Sequence, residues 1–378
     1  MEKSPRRTKV VIIISNVDKA IGFEWLVNSI DRTRFELTFL LLNDKPSNLA
    51  GFLNDRGISC RELAFYSRKD IPLLIIRVAG LLRKIKPSVI HTHLFGANLI
   101  GQTAGLLARV PKRIYTRHSA NENRIYHGKQ RWDIYTNWLA TDVLAISENV
   151  RNVLIREEAV PDSKITLIHH GFDLERFSQT DDRSVAELTA KYNPDGRRPV
   201  IGVIARYSHW KGIQYIIPAF ERLLAERPES LLVLANAKGA DYGNEIKEML
   251  SHLPQESYRE IEFEQDLFSL YQLFDIYVHV PINAELEAFG QTYVEALAAG
   301  IPSIFTLSGV APEFIRDGRN ALVVAFEDSD AVYDAMVRLL DDPQLREKLM
   351  ANGRDDVREM FSLKTMISKL ETLYSSHS

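Results

Sequence analysis

Short apolar runs, mostly β-branched, recur along the chain, and the intervals between them carry helical periodicity. In the first half they are Lys9–Ser15 (KVVIIIS), Glu36–Leu42 (ELTFLLL), Ser88–His91 (SVIH), Arg113–Thr116 (RIYT), Val143–Ile146 (VLAI) and Ile165–Ile168 (ITLI). Runs unbroken by polar residues predict strands buried on both faces, hence a parallel sheet covered by helices. The pattern pauses over Gly171–Pro199, a polar stretch with turn residues that reads as an interdomain connection. It restarts with Val200–Ile204, Leu231–Ala235, Ile261–Phe263, Ile276–His279, Ser303–Thr306 and Ala321–Val324. The expected fold class is α/β, with two doubly wound domains, residues 1–180 and 181–360, facing each other across a cleft. Open α/β sheets take ligands beyond the carboxyl ends of their strands, so two facing sheets make a natural two-substrate site.

Composition agrees and narrows the setting. A chain of 378 residues is too long for one core and suits two domains of ordinary size. With 45% apolar and 26% charged residues it has the make-up of a globular protein. The single cysteine, Cys60, excludes an internal disulfide framework and points to a reducing compartment. The apolar run after the basic N-terminus, Val10–Ile14, is too short for a signal sequence and reads as a first strand. No segment approaches the length needed to span a bilayer, so the expected location is cytoplasmic. The net charge of −3 is uneven: residues 1–180 carry 27 Lys+Arg against 18 Asp+Glu, or +9, which leaves 20 against 32, or −12, for the rest. A basic first half is suited to an anionic partner such as a phosphorylated substrate or a membrane surface. Ile71–Ile85 (IPLLIIRVAGLLRKI) has helical spacing, with Leu73 and Ile76 outside the main apolar face among Arg77, Arg83 and Lys84. It is a candidate peripheral contact with the inner face of a membrane.

Neither a G-x-G-x-x-G turn nor a G-x-x-x-x-G-K-[ST] loop is present, which argues against a dinucleotide dehydrogenase and a P-loop phosphotransferase. The chemistry concentrates instead in Glu285–Pro302, ELEAFGQTYVEALAAGIP. Gly290 lets backbone approach a ligand where a helix begins at Gln291, and that helix start offers free N–H groups to a phosphate. Glu287 at its mouth can accept hydrogen bonds from sugar hydroxyls, and Glu295, farther into the helix, from a ribose. Carboxylates beside a phosphate need cations, and Arg206 and Lys211 follow the first strand of the same domain. Together they can bind a diphosphate and stabilise it as it leaves, without a metal. In the first domain, His118 follows a strand. His91 and His93 are read as pointing to opposite sides of theirs, with His93 toward the cleft. The neighbours His169 and His170 have no companion Cys/His pattern, so no metal site is expected.

The Glu287–Pro302 stretch resembles the E-x7-E signature of family 4 retaining glycosyltransferases, and Ala205–Gly212 resembles that family's Arg/Lys diphosphate clamp. Further matches follow in family order: Ile90–His93, Thr116–His118, Ile146–Ser147, His170–Asp173, Ala311–Gly318 and Asn320–Val323. The resemblance implies the GT-B fold, with the nucleotide-sugar held mainly by the second domain and a final helix, around Ser362–Leu373, returning to the first. It implies transfer of a sugar with retention at the anomeric carbon, the leaving phosphate helping to take the acceptor proton. By this resemblance Glu287 holds the donor sugar, Glu295 the ribose, and Arg206 and Lys211 the diphosphate, while His118 faces the reacting sugar. Phe289, Gly290, Gln291, Ser308 and Gly309 line the donor site, Phe263 meets the base, and Gly22 and His93 lie on the acceptor side. The first loop departs from the pattern, with Ile21 where a first glycine is expected before Gly22. The implied partners are a nucleotide-sugar, a UDP-sugar before a GDP-sugar, and a glycan or lipid-linked acceptor, with no cofactor. Other readings are a nucleotide-sugar epimerase or hydrolase on the same fold, and a non-catalytic sugar-binding module. A nucleic-acid binder has least support, because the basic half has no recognition element with interleaved aromatics.

Overall fold

The computed structural model describes residues 7–121, 128, 130–177, 179–239 and 242–376. The chain divides into two compact units, Met1–Phe172 together with Leu363–Ser378, and Asp173–Ser362.

The first unit is built on a parallel sheet of seven strands in the order β3-β2-β1-β4-β5-β6-β7. They are β1 (Thr8–Ser15), β2 (Phe35–Asn43), β3 (Ser59–Ala64), β4 (Val89–His93), β5 (Lys112–Arg117), β6 (Asp142–Ala145) and β7 (Ile165–Leu167). In the centre, Val10–Ile14 of β1 are buried on both faces, beside Leu37–Leu41 of β2 and Val89–His93 of β4. This is what an unbroken apolar run requires. Six described helices connect these strands: α1 (Ile21–Ser29), α2 (Asn48–Asp55), α3 (Ile71–Ile85), α4 (Phe95–Leu107), α5 (Gln130–Leu139) and α6 (Glu148–Arg156). Helix α3 follows its sequence spacing: Leu74, Val78, Ala79 and Leu82 join the core with Ile100 and Ala104 of α4, while Leu73 and Ile76 stay in solvent.

Two features depart from the sequence reading. Strand β3 (SCRELA) was not expected; it is an edge strand with largely exposed side chains and lacks an apolar run. His91 and His93 do not face opposite sides. Residues two apart on a strand share a face, and their ring centroids lie 4.1 Å apart.

The helix Leu363–Ser375 belongs to this unit. The backbone N–H of Asp31 donates to Glu371 at 2.8 Å, Lys112 Nζ donates to Ser376 Oγ at 2.6 Å, and the Tyr374 hydroxyl meets His91 Nδ1 at 2.7 Å.

The second unit holds six parallel strands in the order β10-β9-β8-β11-β12-β13. They are β8 (Val200–Ile204), β9 (Leu231–Ala235), β10 (Tyr258–Ile261), β11 (Ile276–His279), β12 (Ser303–Phe305) and β13 (Leu322–Val323). Strand β10 starts and ends earlier than its expected span, so Phe263 lies past the strand end and is 71% exposed. The stretch read as a plain connection contains a helix, Asp182–Tyr192, whose first turn is capped by the Asp181 side chain. In both sheets the strand order reverses once, between β1 and β4 and between β8 and β11. Loops leaving two such neighbouring strands diverge and open a crevice at their carboxyl ends.

Candidate active site

In the second unit, the crevice at β8 and β11 is bounded by three loops. Residues 205–212 follow β8, 280–290 follow β11, and 306–310 follow β12. Hydrogen bonds lace them together. The Ile282 N–H donates to Trp210 O at 3.1 Å, the Thr306 hydroxyl to Pro281 O at 2.7 Å, and the Val310 N–H to Phe289 O at 3.0 Å. Lys211 Nζ lies 2.6 Å from Glu287 Oε2, and His279 Nε2 lies 3.4 Å from the same oxygen. Burial pushes the Glu287 carboxyl up, but Lys211 and His279 outweigh it and hold it down to about 2. Burial moves His279 the other way, below its ordinary value. Glu287 is therefore a buried carboxylate clamped between an ammonium and an imidazole. Arg206 stands exposed at the start of the β8 loop.

Two glycines make this packing possible. Gly290 has φ +81, and a Cβ there would meet the Tyr293 ring at 2.5 Å and Glu287 Cγ at 3.2 Å. Gly309 has φ +62, and a Cβ there would lie 2.7 Å from Phe289 O and 2.9 Å from Glu287 Cγ. Both glycines satisfy left-handed backbone and leave room for the Glu287 side chain. From Gly290 the helix Gln291–Ala299 begins, with Gln291 exposed at its first position. Glu295 is buried within it and accepts a 2.8 Å hydrogen bond from the Tyr271 hydroxyl. Burial raises its carboxyl to about 7, against the lowering effect of Tyr271. The Phe289 ring is buried edge-on against Phe361, 5.7 Å between centroids, so it is its backbone that borders the crevice. Among the described residues the Ser308 hydroxyl is buried without a hydrogen-bond partner. Phe263 is exposed, with Lys238 Nζ 5.9 Å from its ring centre.

In the first unit, the strand-order reversal lies beside a column of histidines. His91 Nε2 meets the Thr116 hydroxyl at 2.7 Å, so both of its ring nitrogens are occupied. His93 Nδ1 and His118 Nε2 are 3.1 Å apart, and His118 stacks on His170 with centroids 5.6 Å apart. Burial holds His91 down to about 3 and, with His91 adding to it, the half-buried His118 to about 4. Burial thus disfavours a charge anywhere on the column. His118 and His170 stack, whereas His91 against His93 and His93 against His118 are tilted by 41° and 37°. Among the described residues no group of three or more His, Cys, Asp or Glu side chains is placed to hold a metal ion. Leu94, directly after His93, has φ 70 and ψ 158, a strained conformation of the kind held at ligand-facing loops. Gly22 sits in the first turn of α1, where no described residue lies within 4 Å of an added Cβ, so among the described residues no close backbone approach demands a glycine there.

Sequence reasoning missed His279 and Tyr271. His279 ends an otherwise apolar strand, IYVH, and Tyr271 ends the short helix LFSLY, whose last three residues are buried. A polar group buried at the end of such an element is the signal that could have found them.

Comparison with known proteins follows the same outline. The pattern described as "Glycosyltransferase Family 4" matches residues 26–176, and "Glycosyl transferases group 1" matches residues 184–356. The capsular polysaccharide biosynthesis glycosyltransferase CapM of Staphylococcus aureus is 26% identical over 325 residues, covering 84% of this chain and 83% of that one. Anabaena HepE in complex with UDP-glucose superposes with a TM-score of 0.82 at 20% identity, over 98% of this chain and 100% of that one. A UDP-N-acetylglucosamine 2-epimerase from Listeria monocytogenes, itself assigned provisionally, superposes with a TM-score of 0.69 at 14% identity, over 98% and 97%. Transferase and epimerase thus share this fold, and the fold alone does not separate them. The two family patterns, which between them take in most of both units, do: this chain belongs to the group 1, family 4 glycosyltransferases, and its fold is GT-B.

Proposed function

We propose that the protein is a retaining glycosyltransferase moving a hexosyl or N-acetylhexosaminyl group from a nucleotide-sugar, a UDP-sugar in the first instance, to a glycan or lipid-linked acceptor. The setting is cytoplasmic assembly of a bacterial surface polysaccharide or glycoconjugate. The observation that carries this reading is the clamp of Lys211, Glu287 and His279 at the carboxyl ends of β8 and β11, beside the start of the helix Gln291–Ala299. An ionised carboxylate there is suited to accept from sugar hydroxyls. Lys211 and Arg206 supply the cations, and the helix start the N–H groups, that a diphosphate requires. CapM, named for capsular polysaccharide, and HepE, solved with UDP and UDP-glucose, support the setting and the base.

In this mechanism Arg206 and Lys211 stabilise the charge that builds on the diphosphate as the glycosidic bond breaks. The acceptor attacks from the face the diphosphate leaves, and a phosphate oxygen takes the acceptor proton. Glu287 orients the sugar, and Glu295, ionising near neutrality, orients the ribose. Gly290, Gln291, Ser308, Gly309 and Phe263 complete the donor side. His118 faces the reacting sugar, and His93 and Gly22 serve the acceptor side. The test is a thermal-shift screen of the metal-free protein with UDP, GDP and their sugars, followed by the anomeric configuration of any product. A ligand bound only by the folded state raises apparent stability with the logarithm of its concentration. A shift with uridine nucleotides and an α-product from an α-donor is expected. No shift with any nucleotide removes the donor assignment, and an inverted product removes retention.

A further inference from the structure

Helix α5 is inside out. Its buried positions are Asp133, Thr136, Asn137 and Leu139, and its exposed ones include Trp132 (51%), Ile134 (44%), Tyr135 (36%) and Trp138 (73%). The inward polarity has a cause. Arg117, buried at the end of β5, lies 3.1 Å from Asp133 and 2.7 Å from Glu158, and Asn137 donates to Glu158 at 2.6 Å. That network claims the polar side of α5 and turns its aromatic side outward.

The outward apolar surface does not stop at α5. Helix α4 packs between α3 and α5. It exposes Leu106 (42%) and Leu107 (49%), and α3 exposes Leu73 and Ile76. Across the three helices the charged residues are Arg77, Arg83, Lys84, Arg131 and Asp133, and the single acid is the one buried against Arg117. Every charge this helical layer presents to solvent is positive. Lys86 and Arg109, just past the ends of α3 and α4, are exposed as well.

This combination selects an occupant. A second copy meeting the same face about a two-fold axis would bring cations against cations. Trp and Tyr join an apolar body to a polar N–H or O–H and favour the boundary between apolar and aqueous phases. Cations among them favour a negatively charged surface. No helix among the described residues is long and apolar enough to cross a membrane, so such a surface would be lain upon rather than crossed. We propose that the outer face of α3, α4 and α5 docks on an anionic lipid bilayer, with Trp132, Tyr135 and Trp138 seated among the headgroups. This extends the candidate contact at Ile71–Ile85 to a surface whose anchors are the aromatics of α5, and it does not depend on which sugar or nucleotide the second unit takes.

The experiment is co-sedimentation of the full chain with phosphatidylcholine vesicles and with mixed phosphatidylcholine/phosphatidylglycerol vesicles. The chain should bind the mixed vesicles and bind phosphatidylcholine at least tenfold more weakly. Trp132→Ser/Trp138→Ser should lose at least tenfold in affinity for the mixed vesicles, and Arg77→Gln/Lys84→Gln roughly fivefold for each cation removed. Melting temperature and the nucleotide-induced shift, both measured without vesicles, should stay unchanged in these variants. They separate loss of docking from loss of fold, and from failure of the donor assignment. Absence of binding to the mixed vesicles overturns the proposal, and so does full binding by the tryptophan variant. A concentration-dependent dimer that this variant dissolves, with vesicle binding intact, assigns the face to a second copy instead.

Discussion

Lys211 and Glu287 are 76 positions apart in sequence, yet their side chains meet at 2.6 Å. If the ammonium stabilises the departing diphosphate, Lys211→Ala should slow transfer about 100- to 1,000-fold, the usual effect of removing one preorganised charge stabiliser. Steady-state rates at saturating donor measure this, and an unimpaired variant removes Lys211 from the chemistry. Glu295 gives a pH prediction. Its carboxyl is raised to about 7 by burial, with the Tyr271 hydrogen bond opposing the rise. A ribose hydroxyl donates best to the ionised form, so nucleotide affinity should fall as pH drops below about 7. Tyr271→Phe removes the opposing bond and should move the midpoint to higher pH, weakening binding at pH 7 while a more alkaline buffer restores it. Calorimetric UDP titrations across the range would show this, and superimposable profiles for the two proteins would end the assignment. The types of these residues were legible in the sequence, because carboxylates and cations next to glycines and helix starts imply phosphate and sugar chemistry. Their partners were not. His279 and Tyr271 reach the carboxylates through tertiary packing, which spacing along the chain does not encode.

Among the elements, the central strands were legible because burial on both faces leaves an unbroken apolar run, as in Val10–Ile14 and Leu231–Ala235. Strand β3 was not, because an edge strand with exposed side chains has no such run. Helix α5 shows the limit of periodicity more sharply. Apolar spacing orients a helix only when the opposing surface is apolar, and here it is Arg117 with Glu158. The pair is costly to break: Arg117 and Glu158 are each 4% exposed at the side chain, and Asp133 10%. Arg117→Met would leave two buried carboxylates facing each other and should destabilise the first unit by about 3–5 kcal/mol. Arg117→Met/Asp133→Leu/Glu158→Met should recover most of that loss, since apolar side chains of similar volume can replace a buried ionic group. Urea titrations of the two variants decide it. A triple variant no more stable than the single one would mean that the network acts through its hydrogen bonds to Asn137 rather than its charge balance.

The chain leaves its first unit at Phe172 and re-enters it at Leu363, and the Leu363 N–H donates to Phe172 O at 3.2 Å, tying the two passages together. Completion of the first unit thus depends on the last thirteen-residue helix, Leu363–Ser375, whose Tyr374 meets His91. His91 is 2% exposed, and burial holds it down to about 3 from an ordinary 6.5. The sign follows from linkage. Below the ordinary value the unfolded chain takes up a proton that the folded one refuses, so stability is complete above about 6.5 and falls as pH drops toward about 3. One such histidine removes roughly 1 kcal/mol on going from about pH 7.5 to about pH 5.5. That window lies above the ordinary carboxylate range, and subtracting a His91→Gln variant cancels the groups whose titration does not depend on His91. The variant should be less stable at the higher pH, having lost its bonds to Tyr374 and Thr116, yet lose roughly 1 kcal/mol less than the parent across the window. Chemical denaturation of both proteins at the two pH values gives the difference directly. Equal losses would mean that His91 is protonated in the folded state, and that its bond to Tyr374 survives as a charged one.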